Sequence, residues 1–145
     1  MDKLEWCLKQ KKGIKVIESN ENLSKEYIES SDENLQIMQK VRGKWKTIIA
    51  YYTCYDCISA VLQKAGIQCE IHDCSIELLG FFGLDQDQIK FIKELKKKRI
   101  DAQYYLRKPK EVNSDKVKEF ISSCKLSITK LSQDKIEKIK EIIVK

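Results

Sequence analysis

Two charged residues stand where the surrounding pattern calls for hydrocarbon. Arg99 interrupts the series Ile92, Leu95, Arg99, Ala102, Leu106, whose spacing of +3, +4, +3, +4 marks one face of a helix. A guanidinium buried alone is expensive, so Arg99 must be paired, hydrated in a cleft or set at a subunit interface. Asp101, Tyr104 and Tyr105 lie close to it along the same segment. Asp56 sits inside the apolar run YYTCYDCIS, and a buried carboxylate either shifts its pKa or finds a partner. Two readings stay open for it: a pair with Arg99, directly or across a dimer, and a place on the narrow solvent-facing edge of its helix.

The charge around Arg99 is lopsided. Residues 90–110 carry nine basic side chains against Glu94 and Asp101, a local +7 in a chain whose net charge is +6. The rest of the chain therefore sums to −1. Such a cluster, including Lys96, Lys97, Lys98 and Arg107, suits an anionic partner such as RNA or a nucleotide, although a solvated lysine face is also consistent with it. Only Arg42, Arg99 and Arg107 are arginines among 28 Lys and Arg. Tyr51, Tyr52, Tyr55, Tyr104 and Tyr105 are five of six tyrosines, placed on the same two segments as Asp56 and Arg99. Tyrosines so placed either stack on bases or fill the core with the hydroxyl at its edge.

Six cysteines are Cys7, Cys54, Cys57, Cys69, Cys74 and Cys124. In a chain of 145 residues with no leader-like start, these read as reduced core residues in a cytoplasmic protein. Cys54 and Cys57 with Cys69, His72 and Cys74 have zinc-compatible identities. However, the first pair continues the apolar stripe of Ala50 and Val61, and no metal or cofactor is expected. His72 is the only histidine; it reads as a hydrogen-bonding residue at a helix start, with no nucleophile evident beside it. The chain shows no P-loop, G-x-G-x-x-G, H-E-x-x-H or G-x-S-x-G motif.

The elements that must position these residues are helices. One Pro and five Gly leave few breaks, and no segment alternates with a period of two, so a sheet is not expected. Residues 1–23 read as an extension, with GIKVIES a short extended piece. Ser24 is expected to cap a helix to Arg42, and Gly43 to turn the chain. Lys44–Ala65 is apolar on two sides and belongs in the middle of a bundle, closed by Gly66. A short helix from His72 to Phe82 ends at Gly83. Asp85 and Gln88 form a capping box for a helix to Leu106, which Pro109 prevents from continuing. Ser114 is expected to cap a helix to Leu131, and residues 132–145 to extend it, either continuously or as a separate helix. The short connections imply an all-α, antiparallel up-and-down bundle of four to five main helices. No apolar run is long enough to cross a membrane.

The segments AYYTCYDCISAVLQKAGI, IHDC and RIDAQYY, in that order, resemble the HEPN family of helical domains over residues 24–131. That resemblance implies a four- or five-helix antiparallel bundle, usually dimeric. Ribonuclease members carry R-x(4–6)-H, in which the Arg and His meet at a dimer cleft. Arg99 matches the Arg, but Tyr104, Tyr105 and Leu106 occupy the positions open to the His. The run Arg99-Ile-Asp-Ala-Gln-Tyr104 is closer to the R-x-x-A-x-Y branch. Members of that branch often accompany small nucleotidyltransferase proteins in toxin–antitoxin-like pairs. The expectation is thus a homodimer that binds a nucleotidyltransferase partner, RNA or a nucleotide in a cleft formed by Arg99, Tyr55, Tyr104, Tyr105, Lys96, Lys97, Lys98 and Arg107. Two alternatives remain: a metal-independent ribonuclease toxin in which Asp56, Asp101 or Tyr104 replaces the missing His, and a scaffold without catalysis. A tyrosine hydroxyl is a poor base at neutral pH.

Overall fold

The computed structural model describes residues 2–108 and 111–144. Among these, seven α-helices and one two-residue ladder build an all-α bundle. α1 is Lys3–Lys9, α2 Glu21–Lys40, α3 Lys44–Ala65, α4 His72–Glu77, α5 Gln86–Tyr104, α6 Ser114–Lys130 and α7 Gln133–Val144. α3 is the central element, flanked by α2, α5 and α6. Its buried residues, from Thr47 to Ala65, occupy more than one face, as a helix in the middle of a bundle requires. Pairing with α2 is antiparallel: Ser24 Oγ donates to the Ala60 carbonyl, and Ser31 Oγ to that of Thr53. α5 and α6 also run antiparallel, with Phe91 against Phe120 and Gln88 bonded to Ser123.

The helix ends follow local chemistry. Asp85 accepts from the Gln88 N–H at 2.9 Å while the Gln88 side chain accepts from the Asp85 N–H, completing the expected capping box. Gly66 ends α3 in the left-handed region at φ 71°, and the Ile17 carbonyl lies where a β-carbon would stand. Two expected caps move by a few residues. Asn20, not Ser24, caps α2 by accepting from the Leu23 N–H; Ser24 faces inward instead and bonds α3. Asn113 caps α6 one residue before Ser114. α5 stops at Tyr104 rather than Leu106, because Leu106 enters the left-handed region at φ 51° and the Arg107 N–H turns back onto the Asp101 carbonyl. The stop expected at Pro109 lies outside the described residues.

Two further expectations are corrected, on the absence of a sheet and on the cysteines. No sheet is expected from the sequence, yet the extended piece in residues 1–23 pairs: β1 (Lys15–Val16) joins β2 (Ile67–Gln68) in an antiparallel ladder, Lys15 opposite Gln68 and Val16 opposite Ile67. Two residues are too short to show an alternating pattern, so the ladder leaves no periodic trace in the sequence. The chain ends are also part of the core. Cys7 and Ile14 before residue 24, and Ile136, Ile139 and Ile143 after residue 131, join the same buried cluster as Tyr51, Ile58 and Phe120. Finally, the cysteines are not all reduced. Cys7 and Cys74 form a disulfide joining α1 to α4, with Cα atoms 5.7 Å apart, while Cys54, Cys57 and Cys124 are buried thiols and Cys69 is half-buried. Their separation of 67 positions along the chain hides that proximity.

Candidate functional site

Arg99 is buried on the core face of α5, in line with Ile92, Leu95 and Ala102, and is only 7% exposed. Its guanidinium is surrounded by tyrosines rather than carboxylates. The carbon at its centre lies 4.8 Å from the Tyr51 ring centre, 5.5 Å from that of Tyr52 and 5.9 Å from that of Tyr104. Nη1 donates to Tyr52 Oη at 3.5 Å and to Gln103 Oε1 at 3.3 Å, both long bonds. Nε is buried and has no hydrogen-bond partner. Among the described residues no carboxylate forms an ion pair with Arg99. The ring faces contribute cation–π attraction of about 0.5–2 kcal/mol each at best, which does not replace a counter-ion for a desolvated cation.

The two acids expected near Arg99 are engaged elsewhere. Asp56 faces α2, where it accepts from Ser30 Oγ at 2.6 Å and from Asn34 Nδ2 at 3.0 Å. Burial raises its pKa, and those two hydrogen bonds hold the rise back. Asp101 turns to the end of its helix and lies 3.7 Å from Arg107 Nη1. A helical face alone could not distinguish these outcomes, because Asp56 and Arg99 lie on helices whose relative rotation the sequence does not state.

His72 is the residue that sequence reasoning placed outside the site and the fold brings into it. It opens α4, stacks on Tyr55 with ring centres 3.8 Å apart, and shares a 2.8 Å hydrogen bond between Nδ1 and Tyr51 Oη. Tyr51 therefore touches Arg99 with its ring and His72 with its hydroxyl. Tyr55 in turn bonds Ser75 on α4 at 3.0 Å. Burial lowers the His72 pKa, the Arg99 and Lys96 charges lower it further, and Asp73 works against them. The imidazole is thus neutral at pH 7. Burial pushes the Tyr51 phenol well above the ordinary tyrosine range, and Tyr55 up to about 12 with its Ser75 bond opposing the rise. The signal for this cluster was present as spacing: Tyr51 and Tyr55 are four apart on one face, and the turn at Gly66 returns the chain to present His72 to them.

The remaining expected residues form a rim. Lys96 bonds Asp73 at 2.9 Å, and that bond is the main reason the Asp73 pKa is lowered. Lys98 is half-buried and Lys97 exposed on α5. Tyr104 and Tyr105 are largely exposed, at 64% and 65%, and the Arg107 guanidinium lies 5.6 Å from the Tyr105 ring centre. A protected cation beside a neutral imidazole, bordered by exposed aromatic faces and lysines, has the chemistry of a receptor for a phosphate attached to a planar base. No protein-family model matches the chain, and no curated protein matches it.

Proposed function

We propose that this protein is a HEPN-like helical module that binds single-stranded RNA or a nucleotide at Arg99, as a homodimer and alongside a nucleotidyltransferase partner in a toxin–antitoxin-like or nucleic-acid-defence pair in the cytoplasm. The observation that carries the reading is the buried guanidinium ringed by Tyr51, Tyr52 and Tyr104 without a carboxylate and with its Nε unpartnered. A phosphate supplies the missing counter-charge, Tyr104 and Tyr105 stack on bases, and Lys96, Lys97, Lys98 and Arg107 steer the anion. Tyr55 acts from beneath, by holding His72. The bundle also agrees with the helical fold that the family resemblance implies.

The test is binding of a short single-stranded RNA at two salt concentrations by the native protein and by Arg99→Ala. A steep salt dependence and loss of binding in the variant are expected. Equal binding by both proteins would overturn the assignment of the site and favour the plain scaffold. The ribonuclease alternative gains one specific observation, the neutral His72 beside Tyr51, which is a better proton acceptor than Asp56, Asp101 or Tyr104 as they are placed here. Cleavage of the same RNA that disappears in His72→Ala and Arg99→Ala would select it.

A further inference from the structure

Trp45 is a large exposed aromatic side chain that the site described above does not use. It lies in the first turn of α3, 56% exposed, with Lys44 Nζ 5.3 Å from the centre of its ring. Seven residues on, Tyr52 is exposed on the same face of the helix, about 10 Å along its axis, and half-buried Ile49 lies between them. Tyr52 is one of the rings against the Arg99 guanidinium, and its hydroxyl accepts from Arg99 Nη1. A strip of accessible aromatic and apolar surface therefore leads from Arg99 to Trp45.

The charge along this strip suits a polyanion. Arg42, Lys44 and Lys46 flank Trp45 in the chain, none of them forms an ion pair among the described residues, and the first turn of α3 holds no acid. Arg42 and Lys46 line one cavity with Glu111 and Val112, which brings the connection that follows Tyr104 and Tyr105 to this same end of α3. On the other side of the Arg99 cluster lies α4, which carries Asp73 and Glu77 and no lysine or arginine. Single strands are held by a basic track with aromatic faces along it, because phosphates need cations and every base has a face to stack. We infer that the RNA strand runs from Arg99 along α3 toward the N-terminus of that helix, with a phosphate at Arg99, a base stacked on Trp45 and the neighbouring phosphates beside Lys44 and Lys46. This path rests on the RNA reading proposed above and gives it a direction and a second contact point.

The experiment uses the whole chain carrying Trp6→Phe, which leaves Trp45 as the one tryptophan. A short oligouridylate is titrated in while tryptophan emission is recorded, and binding is followed in parallel by the anisotropy of the end-labelled RNA. Saturable quenching is expected over the concentrations at which the RNA binds, and none in the same chain with Arg99→Met. Trp45→Ala is expected to weaken RNA binding about fivefold or more, and Trp45→Phe to stay near the native affinity. Both should keep the native far-UV circular dichroism, since the side chain they change is exposed. Binding that requires Arg99 but leaves Trp45 emission and the Trp45→Ala affinity unchanged overturns the path while the RNA reading stands. Quenching that persists in Arg99→Met also overturns it, because Trp45 would then belong to a separate site. A blue shift of Trp45 emission with rising protein concentration and no RNA gives this face to a second copy of the chain instead. Absence of RNA binding at low salt overturns the RNA reading itself, and the path with it.

Discussion

Arg99 is costly where it sits, and that cost is the clearest sign of a task. A side chain retained only for packing would give up its charge with little loss. We therefore expect Arg99→Met to unfold within about 1 kcal/mol of the native protein, or to be more stable, because it removes a buried cation that lacks a counter-ion. RNA binding should nevertheless be lost. Destabilisation by about 3 kcal/mol or more in urea titration would instead show that the three tyrosine rings satisfy the guanidinium fully, leaving nothing for a ligand to contribute. At the same scale, the sequence exposed Arg99 and the aromatic cluster, because a charge inside a helical stripe is visible in one dimension. It did not expose the partner of Asp56. Ser30 and Asn34 are ordinary helix-surface residues until α2 is laid antiparallel on α3.

His72 gives the residue scale a pH signature. Its folded pKa lies below the unfolded value, so the unfolded chain takes up the proton first. Stability should therefore hold above about pH 6.5 and decline as pH falls from there to the folded pKa. Asp73, whose pKa is lowered chiefly by its bond to Lys96, adds a loss of the same sign in the carboxylate range. Asp56 has a raised pKa and acts oppositely there, its protonation favouring the folded state. Thermal melts between pH 7.5 and 5.5 should show the decline, and His72→Gln should flatten it. A native profile as flat as the variant's would place His72 outside the buried cluster.

At the scale of elements, the site depends on two turns. Gly66 returns the chain from α3 so that α4 can present His72, and it does so at φ 71° against the Ile17 carbonyl. Gly66→Ala should cost about 1–2 kcal/mol from the left-handed conformation alone, with more from the contact, measured by chemical denaturation. Leu106 is the opposite case: it takes φ 51° with 74% of its surface exposed. Leu106→Gly should gain about 1 kcal/mol for the same reason. A loss there would mean that the leucine side chain is anchored. Elements with strong local signals were legible, notably the capping box at Asp85 and the long apolar α3. Ser24 misled because its residue type suits a cap, whereas Asn20, four residues earlier, is the one whose side chain accepts the Leu23 N–H. The exchange of Ser24 from cap to buried bond is a tertiary effect, since its acceptor is the Ala60 carbonyl 36 residues away.

At the scale of the molecule, residues before 24 and after 131 share one hydrophobic cluster with the helices between them. Lys140 of α7 donates to the Ile17 carbonyl at 2.9 Å, so the last helix closes over the junction of the ladder and Gly66. Removing residues 132–145 should therefore lower the stability of the whole bundle rather than trim an independent tail. The loss of three buried isoleucines makes several kcal/mol the expected scale, about 2–5 for each large side chain removed from a core. The disulfide and the ladder both escaped sequence reading for one reason. Each joins segments more than 50 residues apart, and neither leaves a periodic trace. The basic surplus of residues 90–110 was legible as a number, but its arrangement was not. Lys96 serves Asp73, Arg107 serves Asp101, and among the described residues of the segment the one cation held inside is Arg99.

The decisive measurement is the His72 imidazole titration by proton NMR, with and without a short single-stranded RNA, in the native protein and in Arg99→Met. Burial and, after it, the Arg99 charge depress the imidazole; a bound phosphate offsets that charge, so the RNA should raise the His72 pKa in the native protein and leave it unchanged in the variant. A His72 titration that RNA does not move in the native chain, or that moves equally in both proteins, would contradict an anion receptor built on Arg99.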